Sequence, residues 1–161
     1  MNSFEKILDQ NYNTMFRVAK KMVNDYDAGS DIVQEVFISL YNNLNNGNHI
    51  LHPQSWLYRA TSNKCIDYLK KQKRFLGIES IKDTKAEDEQ IERTETNDLI
   101  HLAISKLKPR ERMLAVFYSE GLSYKEMAKA TGIRFSSIGK MLSRTLKKLE
   151  KELKKQNYEL Y

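Results

Sequence analysis

Residues 77–95, GIESIKDTKAEDEQIERTE, divide this chain in two. The segment is acidic, poor in large apolar side chains and without a helical or strand period. It cannot bury enough surface to offset the entropy of ordering it, so it reads as a flexible linker. What folds must fold on either side, in a block at 1–76 and a block at 96–161, each around its own small core. A coil of this length spans ~25 Å on average and ~65 Å at full stretch. The two blocks could therefore sit well apart on one partner.

Both blocks carry apolar residues at helical spacing, and neither shows the alternation of a strand. The 161 residues include only two prolines and six glycines, which leaves room for long helices. The expected class is all-α: two small helical domains joined by the acidic linker. Helices are expected over 4–23, from a cap at Asp27 or Ser30 to 44, and from Pro53 to 74. Between the last two lies NNLNNGNHILHP, residues 42–53, which reads as a polar loop. In the second block the expected helices cover 96–106, Pro109 to Gly121, Ser123 to Gly132, and 135–155. Pro109 suits a first helical position. Ser123 followed by Glu126 makes a capping box.

Charge is uneven. The net is +6, but it divides as +3 over 1–76, −5 over 77–98 and +8 over 99–161. Two basic blocks around an acidic one suggest a polyanion partner, although solvated lysine on helix surfaces gives the same tally. The single cysteine, Cys65, excludes an internal disulfide framework and suits a reducing, cytoplasmic setting. No stretch approaches the ~20 apolar residues of a membrane span. The N-terminus MNSFEKILDQ lacks the apolar core of a signal peptide. His49, His52 and His101 have no ligand-like spacing, and neither paired acids nor a Gly-rich phosphate loop appears. No catalytic residue, metal, cofactor or small-molecule substrate is expected.

The stretch SYKEMAKATGIRFSSIGKMLSR, residues 123–144, reads as a helix-turn-helix. Ala128 is small where the helices approach, and Gly132 supplies a turn with positive φ. Met127, Ile133, Ile138 and Met141 fill the core between them. On a helical wheel, Ile138, Met141, Leu142, Thr145, Leu146 and Leu149 share one side. Ser136, Ser137, Lys140, Ser143, Arg144, Lys147 and Lys151 lie on the other, which has no acid before Glu150. Early positions of such a helix touch base edges and later cations touch phosphates. Arg134, Ser136, Ser137 and Lys140 are assigned to the groove, and Arg144, Lys147 and Lys148 to the backbone. An ordinary amphipathic surface helix is the alternative.

In the first block, Val33, Val36, Phe37, Leu40 and Leu44 share a core face. The opposite face sets Ile38 among Asp31, Gln34, Glu35 and Asn42: an apolar centre with a polar rim, as protein-binding faces have. Leu57, Tyr58, Thr61, Cys65, Tyr68 and Leu69 are the core side of the next helix, with Cys65 structural rather than redox-active. Its other side carries Trp56, Arg59, Asn63, Asp67, Lys70 and Arg74. An aromatic beside cations suits stacking on unpaired bases. Trp56 packed on its neighbours is the equally good alternative.

Three motifs in order carry a resemblance. DAGSDIVQEVFISLY resembles the D-A-E-D-L-V-Q-E-x-F helix of sigma-70-type sigma factors. SWLYRATSNKCIDYLKKQKR resembles their A-W-L-Y-R-I-A-R-N helix and its basic end. KLKPRERMLAVFYSEGLSYKEMAKATGI resembles their region 4, and the helix-turn-helix follows in place. The order and the short linker match the extracytoplasmic-function group, from about residue 12 to 153.

The resemblance implies a sigma factor that binds core RNA polymerase and directs promoter-specific initiation. It would contact the β′ clamp coiled coil and the β flap. Asp31, Gln34 and Glu35, with Ile38 among them, would bind the β′ coiled coil. The loop with Asn45, Asn46 and Asn48, together with Trp56, Arg59, Asn63, Lys70 and Arg74, would capture and melt the −10 element. Arg134, Ser136, Ser137, Lys140, Arg144 and Lys147 would read −35 as duplex. The acidic linker would lie in the polymerase's RNA path. The family is usually held inactive by an anti-sigma factor, often membrane-bound, which is expected here too.

Two departures stand out. Arg134 occupies the position where the family has a Ser or Thr cap, a cost of about 1 kcal/mol. Ile138-Gly139-Lys140-Met141 replaces a Val-Lys-Ser-Arg run, and Gly139 weakens the helix by up to ~1 kcal/mol relative to Ala. The −35 preference of relatives cannot be copied to this chain. Two other readings fit parts of the sequence. A symmetric helix-turn-helix dimer on an operator leaves the face around Ile38 without a role. A helical adaptor with no DNA contact leaves the acid-free face of the last helix without one.

Overall fold

The computed structural model describes residues 3–76 and 95–160. These residues form α1 (Ser3–Val23), α2 (Tyr26–Asn45), α3 (Pro53–Leu76), α4 (Glu95–Ser105), α5 (Pro109–Ser119), α6 (Tyr124–Thr131) and α7 (Phe135–Leu160), with no strand among them. The expected all-α class is what the chain adopts. The linker expected at 77–95 lies outside the described residues except for Glu95, which opens α4.

The apolar spacing dictates the first three helices, which pack on one another as a bundle. Met15, Val18 and Met22 of α1, Val33, Val36 and Leu40 of α2, and Leu57 and Cys65 of α3 are fully buried. The turn between α1 and α2 is two residues long. Asn24 takes a left-handed conformation at φ 51°, which Asn tolerates better than most residues, and its amide donates to Lys20 O at 2.8 Å. Asp25 then caps α2, its side chain accepting from the Ala28 amide at 3.0 Å. The cap is thus Asp25 rather than Asp27 or Ser30, because the chain turns immediately after α1. Gly29 is buried where α1 and α2 cross: a Cβ there would lie 3.3 Å from the Lys20 backbone nitrogen.

Helix α2 also runs further than expected. Asn42, Asn43 and Asn45 are helical, and the loop is confined to 46–52. Leu44 continues the apolar period of Leu40, and the Asn43 side chain donates through Nδ2 to Ser39 O at 2.8 Å, so the helix ends only where Gly47 adopts φ 80°. Helix α7 likewise outruns its expected end at 155 and reaches Leu160.

In the second half, α4, α5 and α6 all pack on α7. Arg112 of α5 is buried and has no carboxylate among its hydrogen-bond partners. Its Nη1 donates to Met22 O at 2.8 Å, and its Nη2 to Ser105 O at 2.9 Å and Leu107 O at 3.4 Å. Met22 lies in the last turn of α1 and Ser105 ends α4. One cation thus satisfies carbonyls at two helix C-termini, where the partial charge is negative.

The two halves do not stand apart. Helix α6 packs on α3, and α5 packs on α1 and α3. Residues of both halves belong to one continuous apolar cluster. Tyr58 meets Phe117 edge to face, with ring centroids 5.3 Å apart. The contact comes from α5, where Met113, Leu114, Ala115, Val116 and Phe117 are all buried. Such a helix needs cover on every side, and α1 and α3 supply part of it.

Candidate nucleic-acid interface and partner-binding face

The helix-turn-helix forms as its local chemistry requires. Ser123 Oγ accepts from the Glu126 amide at 3.1 Å, and Glu126 Oε1 accepts from the Ser123 amide at 2.8 Å. This reciprocal pair satisfies two orphan donors of α6. Gly132 closes α6 at φ 77°, its amide donating to Ala128 O. Met127 and Ile138 are fully buried between α6 and α7, with Ile133 and Met141 packed against them. Gly139, expected only as a helix weakener, has a packing role. A Cβ there would lie 3.2 Å from Tyr124 Cε2, so glycine lets α7 approach the start of α6.

Helix α7 starts at Phe135, directly after Arg134, so no hydroxyl or amide side chain stands in the cap position. Arg134, Ser136, Lys140, Arg144 and Lys147 are exposed together on its outer face. Ser137 is only half-exposed, its amide bonded to Arg134 O at 2.9 Å. Lys148 is engaged with Glu111 of α5, so it ties two helices together before it can serve a phosphate. Burial pushes the Glu111 carboxyl up, but the Lys148 hydrogen bond and the Lys108 amide outweigh this and hold it below its ordinary value. Phe135, which the sequence reading passed over, is 60% exposed in the first turn of α7. Its place on the wheel, seven residues before Leu142, put it on the buried stripe, so spacing gave no signal of its exposure.

On the first half, Asp31, Gln34, Glu35 and Ile38 lie exposed along one side of α2. Ile38 is 59% exposed and has apolar company. With Phe4, Tyr12, Phe37 and Tyr41 it lines a shallow apolar hollow closed at one side by Gln34. The Phe4 and Tyr41 rings meet edge to face at 5.2 Å. Tyr41 and Phe4 were missed as part of this face; the spacing of Ile38 and Tyr41, one helical turn, could have found the first. Glu35 also reaches Lys64 of α3 at 3.4 Å, an exposed and therefore weak pair.

Asn45 ends α2, and Asn46 and Asn48 are exposed in the loop, with Asn48 donating to Asn43 Oδ1 at 3.0 Å. Arg59, Asn63, Lys70 and Arg74 are exposed along α3, whereas Trp56 is half-buried and packed on the core. Arg59 points at the second half: its Nη2 would come within 2.2 Å of a Cβ added at Gly132. Cys65 is fully buried, and burial pushes its thiol up to about 12, as a core residue requires. Among the described residues no cluster of His, Cys, Asp or Glu could hold a metal ion, and no helix is long and apolar enough to cross a membrane.

Comparison with known proteins agrees with this arrangement. Residues 7–75 match sigma-70 region 2, and residues 97–149 match sigma-70 region 4. A Haemophilus influenzae protein named "Probable RNA polymerase sigma factor" is 34% identical over 76 residues, covering 47% of this chain and 39% of that protein. The extracytoplasmic-function (ECF) RNA polymerase sigma factor SigE of Mycolicibacterium smegmatis is 24% identical over 171 aligned positions, covering 99% of this chain and 65% of that protein. The matches thus take in less than two thirds of either relative. Among solved structures, the sigma factor RpoE of Bartonella quintana, determined in complex with the anti-sigma factor NepR, superposes with a TM-score of 0.72 at 19% identity. That match covers 96% of this chain and 98% of the other. The fold is therefore shared, with both halves present. Regions 2 and 4 follow each other in the order of the helices that display the two faces, and the chain belongs to the sigma-70 family, in its extracytoplasmic-function group.

Proposed function

We propose that this chain binds core RNA polymerase and gives it promoter specificity, with no chemistry of its own, from the cytoplasm. Region 2 is assigned to residues 1–76, the linker to 77–95 and region 4 to 96–161. The observation that carries the reading is the pairing, in one sigma-family chain, of an acid-free basic helix face with a separate polar-rimmed apolar face on α2. A DNA-binding dimer needs only the first, and a DNA-independent adaptor needs only the second.

In this reading Asp31, Gln34, Glu35 and Ile38 dock on the β′ coiled coil, and region 4 meets the β flap. Asn45, Asn46, Asn48, Arg59, Asn63, Lys70 and Arg74 hold the −10 strand, with Trp56 supporting α3 from its half-buried position. Arg134, Ser136, Ser137, Lys140, Arg144 and Lys147 read −35. Extruding a base costs a few kcal/mol, so capture of the melted strand must be helped by duplex binding elsewhere. Two weak readers held on one polymerase gain effective concentration and together suffice. An anti-sigma factor that covers these faces is the expected regulator.

Core binding tests the assignment. Ile38→Asp places a charge in the apolar centre of the α2 face and should weaken capture of core polymerase at least about tenfold, as for a central interface residue. Equal binding by I38D and wild type would remove this face from the interface.

A further inference from the structure

We propose that Phe135 determines sequence specificity in the −35 reader, its ring meeting the C5-methyl group of a thymine in the major groove; this rests on the promoter-reading assignment above. On the wheel, Phe135 continues the apolar stripe of Ile138 and Leu142, both of which are buried. Phe135 itself is 60% exposed. Helix α6 has ended at Thr131 by this point, and the stripe runs on past the residues that α6 covers. It therefore opens to the surface at the tip of α7. Arg134 and Ser136, its neighbours in sequence, are exposed with it. A second ring stands close to the same stripe. Tyr124, the first residue of α6, is 47% exposed and rests against Gly139, one turn beyond Phe135.

A single exposed apolar residue is ordinary; the place of this one is not. The N-terminal residues of a recognition helix are those that reach base edges. Among the groups that base pairs present in the major groove, the thymine methyl is the apolar one. Arg134, Ser136 and Lys140 offer hydrogen-bond donors to base edges or phosphates, and none of them reads a methyl group. Phe135 supplies that missing kind of contact. A phenyl ring has two side-chain torsions to fix, so it gives up little entropy on contact. Charge favours DNA over a protein face as the surface that covers the ring. Arg134 and Lys140 flank it on α7, and that helix has no acid before Glu150.

Base preference tests this directly. The full chain, as wild type, Phe135→Ala and Phe135→Leu, is combined with core polymerase and a pool of promoter duplexes randomised across the upstream element. Wild type should retain a T·A pair at one position. F135A should accept any pair there and keep its other preferences, whereas F135L keeps an apolar contact and should keep the thymine. Uracil is then placed at that position, which removes the methyl group and leaves every hydrogen-bonding atom. The change should weaken wild-type binding about fourfold, the worth of one buried methyl group, and leave F135A binding unaltered. The uracil measurement on wild type needs no variant to fold. Identical selection by F135A and wild type overturns the proposal and turns the ring toward a protein partner. Uniform weakening of F135A across all sequences overturns it too, as does equal binding of uracil and thymine by wild type. If wild type enriches no upstream sequence at all, the promoter-reading assignment itself falls, and the role of Phe135 with it.

Discussion

Replacing Arg112 with leucine tests the packing account where it is most specific. The guanidinium is buried and donates to Met22 O, Ser105 O and Leu107 O at 2.8, 2.9 and 3.4 Å. Burial pushes it down to about 10, so it still carries its charge at neutral pH. Leucine fills much of the same space but leaves the carbonyls without a donor at two helix ends. Each orphaned buried acceptor costs about 1–3 kcal/mol, and two of these bonds are short. Relief from burying an uncompensated cation offsets part of that. The expected net loss is about 3 kcal/mol. Urea unfolding followed by far-ultraviolet circular dichroism reads it directly. With a slope of about 2 kcal/mol/M, the midpoint should fall by about 1.5 M. Arg112→Lys keeps a charge but not the fork that spans α1 and α4, and should fall in between. An R112L midpoint indistinguishable from wild type would refute the claim that this side chain ties the two helix ends together.

Other outcomes follow from the same contacts. Ser123→Ala removes one half of the capping box of α6 and should cost about 1 kcal/mol, lowering Tm by roughly 2–4 °C in a chain of this size. The hydrogen bonds that hold Glu111 and Glu120 below the ordinary glutamate value of 4.5 outweigh the upward push of burial. A depressed carboxyl stabilises the fold above its unfolded value and loses that contribution as pH falls through its folded one. Melting temperature should therefore hold steady near neutrality and drop below about pH 4.5, less steeply in E111Q than in wild type. Reversal of Arg144 and Lys147 to Glu should abolish specific promoter binding. Loss of two phosphate contacts should also flatten the salt dependence of DNA affinity by about two units of log–log slope.

Much of this architecture was legible in the sequence because helical period is local. The order of helices, Pro109 at the start of α5, the Ser123–Glu126 box and the Gly132 turn all rest on residues within four positions of one another. Caps with competing candidates were not legible. Asp25, Asp27 and Ser30 can each cap a helix, and only the two-residue turn after α1 selects Asp25. The Asn-rich run hid the end of α2, because asparagine suits both a loop and a last turn, and Leu44 decided the matter by packing.

What one helix packs against is the harder question. Arg112 reads as a surface cation until its three carbonyl partners, two at the ends of other helices and one in the turn before α5, are known. Glu120, Arg17 and Lys21 are ordinary surface charges in sequence and meet only through the tertiary fold. One clue was available: MLAVF, residues 113–117, is apolar on all sides, which is too much for a helix with one buried stripe. On the outer faces, the cations of α7 and the setting of Ile38 were readable because exposed and buried residues separate cleanly around those helices. Ser137 and Trp56 sit at the margin of their wheels, and packing draws both halfway in.

Run-off transcription tests the central claim most directly. Core RNA polymerase from the same organism is mixed with the purified chain and sheared genomic DNA, and the 5′ ends of the transcripts are mapped. The account predicts a small set of start sites that appear only when the chain is present, share paired upstream elements, and vanish with the Arg144 and Lys147 reversal. Transcripts that start at the same positions with and without the chain would contradict it.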